Sequence, residues 1–163
     1  MAVLLAAGVA IAFTASLHER FGFDRGMATA ALGGIGIAHL VEWTARRSGS
    51  RSPIPLLLGV VAIGAAVSLP FAGSIIAFAV VIAGWALVGA LLELIGSVVR
   101  PGSRQDATLL GAAGILLAIL VLLVREDVVA VLGFFGAYAI LAGVFLGISA
   151  FDTRRAGSEP AAG

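Results

Sequence analysis

From residue 53 to residue 92 the chain runs for 40 residues without one ionisable side chain, a length that suits two membrane crossings of about 20 residues each. In water such a run would leave too little polar surface. In a bilayer it requires only that every backbone N–H and C=O find an internal partner, which a helix supplies. Pro70, followed by Phe71-Ala72-Gly73, is the one place in the run where a turn costs little, because proline lacks a donor and glycine tolerates unusual dihedrals. The run therefore divides there into two helices. Its Val and Ile residues would argue for strands in a soluble chain, but strand runs end within about four to eight residues and this one does not.

The rest of the chain follows the same logic. Of 163 residues, 61% are hydrophobic and 12% charged, against about 25% charged in soluble domains. Cys and Lys are absent, which excludes disulfides, Cys-ligated metal and lysine chemistry. The net charge of +1 is too close to zero to favour a polyanion, and no nucleic-acid contact is expected.

Further uncharged segments occupy residues 1–17, 26–41, 107–124 and 128–151. The expected architecture is all-α: a polytopic membrane protein with six transmembrane helices in a single domain, residues 1–153, followed by a polar tail, 154–163. The first segment is read as a span despite its shortness, because no basic residue precedes it and Ala15-Ser16-Leu17-His18 is a poor cleavage site. The tail reads as a terminus.

Arginine position sets the expected orientation. Arg46, Arg47 and Arg51 follow helix two, Arg100 and Arg104 follow helix four, and Arg154 and Arg155 follow helix six. Only Arg20, Arg25 and Arg125 fall in the opposite connections, each beside an acid. The positive-inside rule then places the seven-arginine side and both termini in the cytoplasm, with the arginines as topology anchors of a multi-pass plasma (inner) membrane protein. Anionic lipid headgroups are their natural contact.

Laid on itself with an offset of about 51 residues, the chain aligns LLAAGVAIAF around Gly8, LLLGVVAIGA around Gly59 and LLGAAGILLA around Gly111. Glu42 and Glu93 align similarly in the returning helices, as do the surroundings of Trp85 and Tyr138. The expected unit is a helical hairpin used three times, at about residues 1–47, 53–99 and 107–151. An even number of spans per unit makes the three hairpins parallel repeats around an axis near the membrane normal.

Leu-Leu-Gly opening a helix, Leu69-Pro70 at the outer turn and Gly-Trp-Ala-Leu-Val-Gly at residues 84–89 resemble the short repeat of the HdeD family of acid-resistance membrane proteins. The similarity spans nearly the whole chain and is weakest in the first hairpin, whose outer connection is longer and lacks the proline. The resemblance implies a six-span inner-membrane protein and, for some members, tolerance of acid stress. It supplies no catalytic or binding residues.

Ionisable groups near the bilayer are the candidates for chemistry. His39 and Glu42, three residues apart, share a face of helix two, and Glu93 has only Gly89 and Ser97 one turn away. These three form a candidate intramembrane polar site. The structural alternative pairs Glu42 with Arg46, and Glu93 with an arginine of the neighbouring connection. On the outer side, His18, Glu19 and Arg20 with Arg125, Glu126 and Asp127 form a candidate pH-responsive cluster that also has the make-up of an ordinary solvated loop. Small residues at spacing four mark two expected packing faces: Gly26, Ala30, Gly34 and Ala38 on helix two, and Ala139, Gly143 and Gly147 on helix six.

No nucleophile, phosphate-loop or metal motif is present, so no cofactor and no metal are assigned, and an enzyme is the less favoured class. The expected partners are membrane lipids, with self-association or a membrane-protein partner through the small-residue faces. The leading expectation is a non-enzymatic structural or stress-protective protein. The alternative is a small proton or solute transporter or channel using His39, Glu42 and Glu93, and a lower one is a lipid-modifying enzyme at the cytoplasmic interface.

Overall fold

The computed structural model describes residues 2–14, 20–45, 52–99 and 104–156, of which 99, 104, 105 and 150–156 are described by backbone alone. Six α-helices lie among them: α1 (Ala2–Phe13), α2 (Phe21–Ala45), α3 (Ile54–Ser68), α4 (Ile75–Val99), α5 (Arg104–Leu123) and α6 (Val128–Ala156). No strand occurs among the described residues. The protein is an all-α, multi-span membrane protein.

Four stretches are long and apolar enough to cross a bilayer: Ile54–Phe71, Ile75–Val98, Asp106–Leu123 and Val128–Ser149. Six were expected, and the two that fall short do so for different reasons. α1 has the apolarity but only 12 described residues. α2 has the length, 25 residues, but its Gly residues, together with Asp24, Arg25, His39 and Glu42, lower its hydropathy.

Several helix ends differ from the positions that charge alone suggests. α2 starts before Asp24 and Arg25, because the amides of Phe23 and Asp24 donate to the Arg20 carbonyl at 2.8 and 3.2 Å and begin the helix there. Asp24, expected in an outer connection, is fully buried in the first turn. α4 continues past Leu92 to Val99, α5 takes Arg104 as its first residue, and α6 carries Arg154 and Arg155 in its last turn. The division at Pro70 is observed as a 3-10 turn, Leu69–Phe71. The Ser74 hydroxyl then accepts from the Ala77 amide at 3.1 Å, opening α4.

The closest packing joins α2 to α3, α4 to α5 and α6 to α1, and looser contacts link α1 to α2, α3 to α4 and α5 to α6. The six helices thus close into a ring. One contact recurs at all three close pairs: Gly8 faces Gly136 and Ile140, Gly59 faces Gly36 and Leu40, and Gly111 faces Ala90 and Leu94. The three glycines are those aligned by the sequence repeat, so the internal repeat is a repeat of packing as well. Partners run in opposite chain directions at each contact, which makes each close pair antiparallel.

Inside the ring, Leu32, Leu69, Phe78, Ile82, Val121, Leu132 and Phe135 are completely buried in one core. Outside it, Val60, Val67, Ile76, Val80, Ile119 and Leu141 are exposed, the arrangement of a bundle that meets lipid.

A Cβ on Gly143 would lie 2.7 Å from the Leu5 backbone nitrogen, an atom that no side-chain rotation can move, whereas one on Gly133 meets nothing within 4 Å. Gly143→Ala is expected to destabilise the purified protein by about 1–3 kcal/mol. Gly133→Ala should be neutral or stabilising by up to about 1 kcal/mol. Denaturant unfolding in detergent, followed by Trp fluorescence, reads both.

Candidate functional site

The same helical face of α2 carries Asp24, Ala28, Leu32, Ile35 and His39, at spacings of three or four residues. Asp24, Ala28, Leu32 and Ile35 are buried and His39 is partly so, which sets a carboxylate and an imidazole at opposite ends of one inward stripe, about 22 Å apart at 1.5 Å per residue. The two ends have different surroundings.

At the Asp24 end the described residues pack closely together. Arg25 donates from Nη1 to the Ala72 carbonyl at 3.1 Å, and its guanidinium lies 5.5 Å from the Phe21 ring centroid. Phe21 meets Phe78 edge to face at 5.9 Å. These contacts fasten α2 to the turn that follows α3 and to α4.

At the His39 end a cavity of about 230 Å³ opens between the last turns of α2 and α4 and the first turns of α3 and α5. Its acidic lining comes from Glu42, Glu93 and Asp106, with His39 beside them. His39 Nδ1 and Glu42 Oε2 are 3.8 Å apart. Glu93 forms no hydrogen bond or ion pair with any described residue. Beyond Glu93 a narrower space of about 50 Å³ reaches Trp85 and Tyr138, sharing Leu58, Leu110 and Leu146 with the outer cavity. Trp85 packs edge to face on Phe135 at 5.4 Å and on Tyr138 at 6.0 Å, and these rings form the floor.

The structure thus brings His39, Glu42 and Glu93 to one cavity and adds Asp106 and Tyr138, which charge spacing did not single out. Asp106 sits one turn from its expected loop because α5 starts early. The packing register also changes a pairing: His39 and Glu93 each stand three residues after the small residue that meets the facing glycine, Gly36 and Ala90. By this register the counterpart of Glu93 is His39, not Glu42, and in α6 it is Ala139.

The other candidate residues are placed as follows. His18, Glu19, Arg46, Arg47, Arg51 and Arg100 lie outside the described residues. Arg20, Arg125, Glu126 and Asp127 are exposed, and Asp127 Oδ1 accepts from the Ala130 amide at 3.0 Å as the cap of α6. On α2, Gly26 and Ala30 are exposed, Ala38 is partly buried and Gly34 approaches Val3, while the close contact to α3 is made by Gly36. On α6, Ala139 is fully buried, Gly143 abuts Leu5 and Gly147 is partly buried. Among the described residues no group of three or more His, Asp or Glu could hold a metal ion.

The short repeat of unknown function (DUF308) matches residues 65–124 and 126–162, the first match covering α4 and α5 and the second α6. This repeat is associated with acid-resistance membrane proteins of the HdeD type. No curated protein and no solved structure matches the chain.

Because the chain has no native cysteine, single thiols report on the cavity directly. Leu146→Cys, on the lining of both spaces, should react with a water-soluble thiol reagent at least about tenfold faster than Val121→Cys, in the closed core. Equal rates would mean that the cavity is not in contact with water.

Proposed function

Because the chain belongs to the family of the short repeat of unknown function (DUF308), we propose that it is a non-enzymatic, stress-protective protein of the plasma membrane, of the acid-stress type. In this reading it crosses the bilayer six times, as three like-oriented hairpins. Both termini and the arginine-bearing connections face the cytoplasm, and lipids are its main contact. The observation that carries the reading is the filled centre: among the described residues, Leu32, Phe78, Ile82, Leu132 and Phe135 pack into one buried core in the half toward Glu126, as suits a barrier element. The family and the lack of cysteine and of a metal cluster among the described residues are consistent with a protein that is not an enzyme.

The cavity favours a second reading, a small proton or solute transporter seen open to the cytoplasm. A space lined by Glu42 and Glu93 that reaches inward to Trp85 and Tyr138 is half of such a path.

Liposomes containing the protein and a pH-sensitive dye separate the two. The first reading expects proton flux equal to that of empty liposomes at every imposed pH gradient. Flux above that level, lost in Glu93→Gln, replaces it with the second. Topology is read separately: Glu126→Cys should be labelled from outside intact cells and Ala45→Cys only after permeabilisation. Labelling of both from one side would remove the even number of crossings.

A further inference from the structure

We propose that the acidic cavity at the end of the bundle bearing Arg104 and Arg154 binds a small organic cation, a primary ammonium group on a short hydrocarbon body. The inference concerns occupancy of the cavity and holds whether or not the protein conducts anything.

Size is the first argument. About 230 Å³ is far more than a bare ion fills and somewhat less than a drug-sized ligand needs. A metal ion would require its ligands to converge on one point, and among the described residues no three do so. The carboxylates instead surround a volume, one each from α2, α4 and α5.

The wall is the second. Between the acids the lining is hydrocarbon, from Ile54 and Pro55 at the mouth to Leu110 and Leu146 deeper in. An inorganic ion with its hydration shell gains nothing from such a surface, whereas an alkyl chain is removed from water by it. Charge and wall together select an amphiphilic cation.

The third observation is independent of the acids. Tyr138, on α6, is partly buried and packs on the core, its hydroxyl has no hydrogen bond to any described residue, and it lines the narrow space beyond Glu93. A hydroxyl oxygen that faces such a space is free to accept from a ligand's donor. An ammonium group has three donors and no acceptor, so one group can donate to the Glu93 carboxylate and to the Tyr138 oxygen together. The neighbouring Trp85 ring adds a surface that attracts cations. Since the rings close the bundle beyond this point, the ligand enters from the arginine-bearing side.

The test is titration of the full chain, purified in detergent, with n-butylammonium by calorimetry or equilibrium dialysis. Saturable binding at one site is expected, weakened at least about tenfold by Glu93→Gln and severalfold by Tyr138→Phe. Glu126→Gln, at the opposite end, should bind as the parent does. If Glu93→Gln does not fold, Glu42→Gln and Tyr138→Phe carry the test. No saturable binding by the folded parent protein, an affinity indifferent to these cavity variants, or displacement of butylammonium by stoichiometric calcium would each overturn the proposal. Failure here leaves the flux experiment unaffected, and failure of the flux experiment leaves this one to stand.

Discussion

At three places around the ring two helix backbones come so close that no side chain fits between them, and the remaining structure depends on that approach. In a bilayer the hydrophobic effect does not drive helices together, because lipid tails solvate Leu as well as another helix does. What remains is van der Waals contact, which grows as backbones approach. Gly8 against Gly136, Gly36 against Gly59 and Gly111 against Ala90 provide it. The three contacts join α6 to α1, α2 to α3 and α4 to α5. Two of these pairs, α2 with α3 and α4 with α5, are also linked by a connection in the chain, and the third fastens α6 to α1, the farthest element in sequence.

This arrangement has a consequence for the centre. With close packing at alternate helix boundaries, the ring is pinched at three seams and looser at the other three, which leaves room inside for large side chains. Toward Glu126 that room is filled by Leu32, Phe78, Phe135 and Leu69, the one buried residue of the turn that follows α3. Toward the other end α2 and α4 run on past the core, α5 begins early, and the walls rise around a space that nothing apolar occupies. The asymmetry between a filled half and an acidic half follows from helix lengths.

Much of this was legible in the sequence and some was not. The helices announced themselves because charge is expensive in lipid, and Pro70 marked its turn by losing a donor. Charge failed as a guide to helix ends, since a helix continues through a charged residue that can be buried or turned to the interface: Asp24, Arg104 and Arg154 all lie inside helices drawn to exclude them. The pairing of helices was not legible either. Gly and Ala are so common that spacing four selects Gly26 and Ala30, which are exposed, as readily as Gly143, which touches backbone. Which small residue meets a neighbour depends on the rotation of each helix, and a single sequence does not carry it. His39, Glu42 and Glu93 were legible as a group because unneeded charge near a bilayer stands out. Tyr138 was not, because the repeat aligned its surroundings with those of Trp85 and nothing in its spacing showed that it would line a space beside Glu93.

The repeat itself explains why the site has its composition. Three equivalent positions, each following the glycine seam by three residues, hold His39, Glu93 and Ala139. Were all three acidic, their mutual repulsion in a poorly solvated centre would oppose closure of the ring; were all three apolar, the cavity would close as the opposite end does. One carboxylate, one imidazole and one methyl keep the threefold seams, which stability requires, while breaking the threefold charge, which a charged centre requires. Glu42 and Asp106 then stand nearer the mouth, where water screens them and the repulsion is weaker. The symmetric part of the molecule is its packing, and the part able to do chemistry is where that symmetry is given up.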